Sequence, residues 1–225
     1  MNIYGDRGNT LTLKKRLEWH NYSVKIADYN IGDSFPDKVD IIVGGGGQDS
    51  GQKKIQHDLQ KISPKLTYLA EKGTPMLVVC GLYQLFGKFF KTANGETIAG
   101  AGIFNTETHA GPERLTGNVI VNSNFFGEIV GYENHSGQTF LDKNTEPLGK
   151  VVLGAGNNGQ DESEGAIFNN VIGTYLHGAI LPKNPQIADF LIKKAVINLF
   201  GEFEPAVIDD SFANMAREIA KKRPR

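Results

Sequence analysis

The apolar run Met76-Leu77-Val78-Val79 ends directly at Cys80-Gly81, and no other stretch constrains the fold so tightly. Such a run reads as a buried strand, and Leu82-Tyr83-Gln84-Leu85-Phe86 reads as the start of a helix. A strand that turns this sharply into a helix lifts the side chain at the turn above the edge of a sheet. The backbone N–H groups beside it face the same way. Helix N-terminal partial charge there favours a thiolate over a thiol, whose ordinary pKa is about 8.5. Taken alone, the one cysteine of the chain also fits a structural role, since unpaired cysteines are commonly buried.

Two further strands end in chemically suggestive residues. Val39-Asp40-Ile41-Ile42-Val43 runs into Gly44-Gly45-Gly46-Gly47, and Val171 to Leu176 runs into His177-Gly178. Gly8 to Tyr22 reads as a helix with an imperfect apolar stripe, Leu11, Leu13, Leu17 and Trp19. Val24 to Tyr29 alternates like a strand. A long helical stretch from about Lys53 to Lys72 is expected to break near Pro64. This order predicts an α/β fold, a flavodoxin-like, mostly parallel sheet flanked by helices. Short strands at Asn118–Val121, Glu128–Tyr132, Val151–Leu153, Ala166–Phe168 and Ile172–Tyr175 add antiparallel hairpins. Helices from about Pro185 to Leu199 and Asp210 to Lys222 finish the chain. One domain over residues 1–225 is the economical reading. Met1 to Asn9 looks like a loop that follows a strand, so either a first strand is missing at the N-terminus or the sheet is one strand short.

Composition narrows the function. Lys+Arg 24 against Asp+Glu 25 gives a net charge of −1, which implies no attraction to nucleic acid or anionic membrane. The basic end, Lys221-Lys222-Arg223-Pro224-Arg225, reads as solvated. One cysteine excludes an intrachain disulfide and a multi-cysteine metal site, and suits a reducing cytoplasm. No apolar stretch approaches the roughly 20 residues of a membrane span, and no secretion signal is visible.

A cysteine nucleophile needs a base, usually an imidazole. His20 and His57 sit on helices among polar neighbours and read as surface residues. His177 stands at a strand end, where parallel folds build their active crevices. The glycine run lacks the Gly-Lys-Ser/Thr ending of a phosphate loop, but offers N–H groups unobstructed by side chains, as an oxyanion hole requires. Thiol, imidazole and N–H cradle at one edge describe acyl transfer through a thioester.

The ordered set of Tyr4-Gly5-Asp6-Arg7-Gly8-Asn9, Gly45-Gly46-Gly47-Gln48-Asp49, Cys80-Gly81-Leu82-Tyr83-Gln84, Arg114-Leu115-Thr116-Gly117, Gly131-Tyr132-Glu133-Asn134-His135-Ser136-Gly137, Gly154-Ala155-Gly156-Asn157-Asn158 and Gly173-Thr174-Tyr175-Leu176-His177-Gly178 is similar to the class I glutamine amidotransferases of the CobB/CobQ type. The likeness is nearest to the branch that serves as glutaminase subunit of lipid II isoglutaminyl synthase. It implies that Cys80 attacks the carboxamide of L-glutamine, that His177 moves protons, and that Gly81 and the Gly46–Gly47 region hold the oxyanion. It further implies Asp6 as an auxiliary carboxylate, Arg114 as the partner of the glutamine carboxylate, and Gln84 as a substrate-binding residue that helps position the glutamine. Glu133 and His135 lie near the site by motif and receive no role. Where other class I enzymes carry Glu two residues after the histidine, this chain has Ala179, which implies a Cys–His dyad. Leu82 replaces the branch's usual Gly and is expected to narrow the space beside Cys80 or alter the turn. The chain itself needs no cofactor. The implied partner is a MurT-like Mur ligase subunit that carries ATP and Mg and amidates lipid II in the cytoplasm, without nucleic acid or membrane insertion. The alternatives are the amidase portion of cobyrinate or cobyric acid amidation, a non-catalytic glutamine-binding scaffold, and a flavodoxin-like binding domain with a structural thiol.

Overall fold

A computed structural model describes residues 5–47 and 49–223; Tyr4, Gln48, Pro224 and Arg225, which entered the readings above, lie outside the described residues. The first part of the chain runs α1 (Arg7–Trp19), β1 (Ile42–Gly44), α2 (Asp49–Glu71), β2 (Met76–Val79), α3 (Gly81–Phe86). There follow β3 (Phe89–Lys91), β4 (Thr97–Ala99), β5 (Thr106–Ser123), β6 (Gly127–Leu141), β7 (Gly149–Leu153), β8 (Ser163–Glu164), β9 (Ala166–Phe168) and β10 (Val171–Thr174). Helices α4 (Ile180–Lys183), α5 (Pro185–Phe200) and α6 (Ser211–Lys221) close it.

Two sheets result, and the fold is mixed α/β. The first has order β1-β2-β10-β9, with β1, β2 and β10 parallel and β9 antiparallel. Its centre is dry: all four residues of β2 and all four of β10 are buried, as expected for strands covered on both faces. The second sheet is built around the long antiparallel hairpin β5–β6, flanked by β3, β4, β7 and β8. Sequence reading found only the apolar tips of this hairpin. The rest is largely polar, contains Pro112 and several glycines, and lacks the apolar alternation that marks a strand.

Four expectations fail. Val24 to Tyr29 forms no strand; among the described residues no neighbour supplies it with a hydrogen-bonding ladder, and alternation alone does not hold a strand. Helix α2 passes through Pro64 unbroken. The carbonyl of Gln60, which loses its donor there, lies on the exposed face, and Ser63 adds a hydroxyl bond to the carbonyl of Leu59 at 2.7 Å. Third, α1 buries Asn9, Leu13 and Arg16 rather than the full leucine stripe, and Leu11 and Trp19 are exposed. The buried face is polar because partners elsewhere in the fold meet its main polar groups. Asn9 accepts from the N–H of Leu181 at 3.0 Å, and Arg16 reaches Asp189 and Asp210 at 2.7 and 2.6 Å. His20 is likewise buried rather than solvated: it accepts from the N–H of Ala206 at 3.1 Å and packs edge-on against Phe203.

Candidate active site

Strands β2 and β10 are hydrogen-bonded neighbours running the same way, so the residues leaving their C-terminal ends emerge side by side. The Cys80 N–H donates to the carbonyl of Thr174 at 2.8 Å, which fixes the first residue after β2 against the last of β10. Cys80 has φ 53° and ψ −111°. That backbone conformation is costly for a residue with a side chain, by about 1–3 kcal/mol, and persists where the surroundings impose it. This is the sharp strand-to-helix turn that the sequence anticipated.

Gly81 is required at the next position by close approach. A Cβ there would sit 2.7 Å from the carbonyl oxygen and 2.9 Å from the nitrogen of Gly47. The elbow and the glycine loop after β1 therefore press directly on one another. Leu82 packs against the end of β1. Its side chain fills the space over Gly44, where a Cβ would collide with it, so the bulk that replaces glycine at 82 is accommodated by the glycine that ends β1.

His177 lies three residues past β10. Its own N–H donates to the carbonyl of Tyr132 on β6 at 2.7 Å, which ties the histidine loop to the second sheet. The imidazole Nδ1 faces Asp6 Oδ1 at 3.3 Å, and both side chains are nearly inaccessible, 1 % and 2 %. Asp6 also accepts from the N–H of Gly46 at 2.7 Å. One carboxylate at the start of α1 thus joins the histidine to the glycine loop. Ala179 has no carboxylate to give, and Asp6 occupies that role from another direction. A proton held on Nδ1 by Asp6 leaves Nε2 as the basic nitrogen. The same bond changes the oxyanion cradle. The N–H of Gly46, expected in that cradle, is engaged by a carboxylate instead, while the Gly81 N–H lies against the thiol.

The thiol is not in the state that helix polarity alone suggests. Cys80 is 6 % exposed, and burial together with the charge of Asp6 pushes its pKa up to about 12, against opposing help from the Gly81 N–H and Arg114. Helix α3 has six residues, too few for its terminal charge to overcome that desolvation. In this arrangement the resting group is a thiol, and a base must take its proton as it reacts.

Gln84 is buried and engaged at both ends of its amide. It accepts from Gln52 Nε2 at 2.5 Å and donates to the Tyr175 hydroxyl at 3.0 Å; Gln52 Nε2 also reaches the carbonyl of Gly81 at 3.0 Å. The side chain stiffens the elbow from behind. Arg114 is exposed on β5, donates to Asn134 at 2.8 Å, and acts electrostatically on Cys80. Its exposed guanidinium is suited to a carboxylate. The remaining motif residues are braces. Glu133 accepts from the N–H groups of Ala155 and Gly156 at 3.0 and 2.8 Å. Asn157 accepts from Tyr83 at 3.1 Å and from Gly165 at 2.9 Å. His135 stacks on Tyr175 with centroids 3.5 Å apart, and burial depresses its pKa to about 4, so it stays neutral.

Sequence reasoning missed Gln52, Tyr175 and Glu164. Glu164 is fully buried, accepts from the Thr174 hydroxyl at 2.6 Å and the Tyr175 N–H at 2.9 Å, and is raised to about 7 by desolvation. Gln52 lies inside α2; Glu164 ends β8 and Tyr175 follows β10, but neither breaks an apolar run with a residue type that strands avoid, so no local signal marked their roles. Among the described residues no group of three or more His, Cys, Asp or Glu is placed to hold a metal ion.

A cysteine elbow pressed on a glycine loop, with a histidine held by an aspartate, agrees with what the chain resembles. Residues 1–185 match the model of the CobB/CobQ-like glutamine amidotransferase domain. The chain belongs to that family. This amidotransferase is 40% identical to the lipid II isoglutaminyl synthase (glutamine-hydrolyzing) subunit GatD of Staphylococcus aureus, over 97% of its own length and 90% of that protein. It is 36% identical to GatD of Streptococcus pneumoniae, over 90% of its length and 79% of that protein. Cobyric acid synthase of Listeria innocua shares 32% identity over 62% of the amidotransferase but only 28% of its own, much longer chain. Among solved structures, a glutamine amidotransferase superposes with TM-score 0.60 at 13% identity, covering 82% of this chain and 93% of that one, a likeness of fold.

Proposed function

We propose that this amidotransferase is the glutamine-hydrolysing subunit of a lipid II isoglutaminyl synthase. Cys80 adds to the carboxamide carbon of L-glutamine while His177 Nε2 takes the thiol proton, which avoids forming a thiolate in a buried site. The tetrahedral oxyanion rests on N–H groups of Gly47 and Gly81. His177 then returns the proton to the leaving nitrogen, releasing ammonia and a glutamyl thioester, and next deprotonates the water that hydrolyses it. Asp6 keeps the imidazole oriented and stabilises its cation. Arg114 holds the substrate carboxylate. The observation that carries this chemistry is the double engagement of Asp6, with His177 on one oxygen and the glycine loop on the other.

The ammonia goes to a partner, a MurT-like ligase subunit that binds ATP and Mg and activates the D-isoglutamate carboxyl of the lipid II stem peptide, in the cytoplasm. Similarity to GatD from end to end, against a match to only a fraction of the cobyric acid synthases, favours this acceptor over a corrin. The buried, protonated thiol makes the subunit alone a slow glutaminase. Ammonia release with and without the ligase subunit tests this. Stimulation by the ligase and its loss in Cys80→Ala support the reading; a Cys80→Ala complex as active as wild type with glutamine refutes it.

A further inference from the structure

Helix α6 buries none of its residues, yet its sequence is strongly two-faced. Phe212, Met215 and Ile219, spaced i, i+3 and i+7 so that they share a face, are 80 %, 57 % and 53 % exposed. The helix is nonetheless fixed in place. Asp210, at its start, pairs with the buried Arg16; Lys221 pairs with Glu128 at 2.8 Å; and the carbonyl of Arg223 accepts from Asn118 at 2.9 Å. A rigidly mounted, uncovered apolar face is a surface made for a partner.

Beside it runs a groove of about 370 Å³, walled by Ala216, Ala220 and Arg223 and floored by Tyr132, Gly178 and Lys183. The floor is continuous with the catalytic centre. The Tyr132 carbonyl holds the His177 N–H at 2.7 Å, Gly178 follows His177, and Lys183 donates to the Gly178 carbonyl at 3.1 Å. Two cations, Lys183 and Arg223, face this cleft, and burial together with the charge of Arg223 lowers the pKa of Lys183. The groove therefore favours an apolar side chain with a carboxylate beside it.

We infer that the exposed face of α6 and this groove form the docking site of the ATP-using ligase subunit, whose inserted segment bears on the backbone that holds His177. The inference rests on the function proposed above and adds to it where the partner binds. A concave slot suits a protein segment better than a flat lipid surface. A second copy of this chain, meeting the same patch about a two-fold axis, would bring a second pair of cations toward the first. The S. aureus and S. pneumoniae relatives are named as subunits, which calls for an interface of this kind.

The test uses the full chain with co-expressed ligase subunit, comparing wild type with Ile219→Glu and Ala220→Trp, the second filling the groove. Complex formation is read by size-exclusion light scattering, and ammonia release is read with and without the ligase. The expected result is a loss of affinity for the ligase of at least tenfold in both variants, with ligase-stimulated turnover falling in parallel and ligase-free turnover unchanged. The inference is overturned if both variants bind and respond like wild type, while the functional reading survives. It is also overturned if the two variants instead dissociate a homodimer or abolish binding to phosphatidylglycerol vesicles and leave ligase affinity intact. If wild type itself neither binds nor responds to the ligase, the functional reading fails, and the inference with it.

Discussion

The two sheets of the molecule divide the work unequally. The small, mostly parallel sheet is dry at its centre, short-stranded and regular, and it delivers Cys80, His177 and the glycine loop from the ends of three adjacent strands. The larger antiparallel sheet is long, polar and irregular, with a register shift between Ala110 and Leu115. It contributes carbonyls and carboxylates that hold loops, and an exposed cation, Arg114, that acts on Cys80. Reactive groups sit where strands stop because their backbone neighbours there are not consumed by the ladder. Supporting groups sit within strands, where the ladder makes them rigid. Substitutions in the first sheet should therefore abolish turnover in folded protein, and those in the second should act on binding or stability.

The sharpest probe is Asp6→Asn, at a residue that belongs to neither sheet but joins two loops leaving the first, those of His177 and of the glycine run. Its expected effect is a loss of about 10²–10⁴ in kcat for glutamine, because an amide can present its N–H to the imidazole and fix the wrong tautomer. Circular dichroism should remain that of wild type. A variant within threefold of wild type would show that Asp6 is only a structural cap. Next comes the thiol itself. With its pKa near 12, iodoacetamide should alkylate Cys80 about 10³-fold more slowly at pH 7 than an ordinary thiol of pKa about 8.5. The rate should rise roughly tenfold per pH unit with no plateau below pH 10. The sign follows from burial, since a raised pKa keeps the group protonated until well above the ordinary value. A plateau near pH 8 would mean that helix polarity outweighs desolvation after all.

The second sheet predicts smaller effects. Arg114→Ala should raise the KM for glutamine by about 10–100-fold, the worth of hydrogen bonds to a charged group, with kcat changed far less. A kcat loss at unchanged KM would move Arg114 from substrate binding to the chemistry. Glu133→Ala leaves the N–H groups of Ala155 and Gly156 without their acceptor and should cost about 1–3 kcal/mol of stability by urea unfolding. Turnover per folded molecule should be nearly unaffected. Equal loss of stability and turnover would erase the distinction between the two sheets.

The same contrast governs what could be seen in the sequence. Cys80, His177 and the glycine run were legible because each interrupts an apolar strand with a residue type that strands avoid. The helices α3, α5 and α6 were legible from periodicity to within a residue or two. The polar face of α1 was not, since Asn9, Arg16 and His20 are buried only through partners distant in the chain, among them Leu181, Asp189 and Ala206. The hairpin β5–β6 was legible only at its apolar tips, and Gln52, Tyr175 and Glu164 not at all, because their roles depend on a three-dimensional hydrogen-bond network. The state of the thiol was misjudged for a related reason. Helix polarity is local and visible in sequence, while burial and the proximity of Asp6, 74 positions earlier in the numbering, are not.

The central claim is that Cys80, His177 and Asp6 act as one unit on a glutamine side chain. It is tested most directly by treating the chain, with its ligase subunit, with the glutamine-like electrophile diazo-oxo-norleucine and mapping the adduct by mass spectrometry. The account predicts a single adduct on Cys80, formed at least tenfold more slowly in His177→Ala and in Asp6→Asn. An adduct elsewhere, or labelling of Cys80 at wild-type speed in both variants, would contradict it.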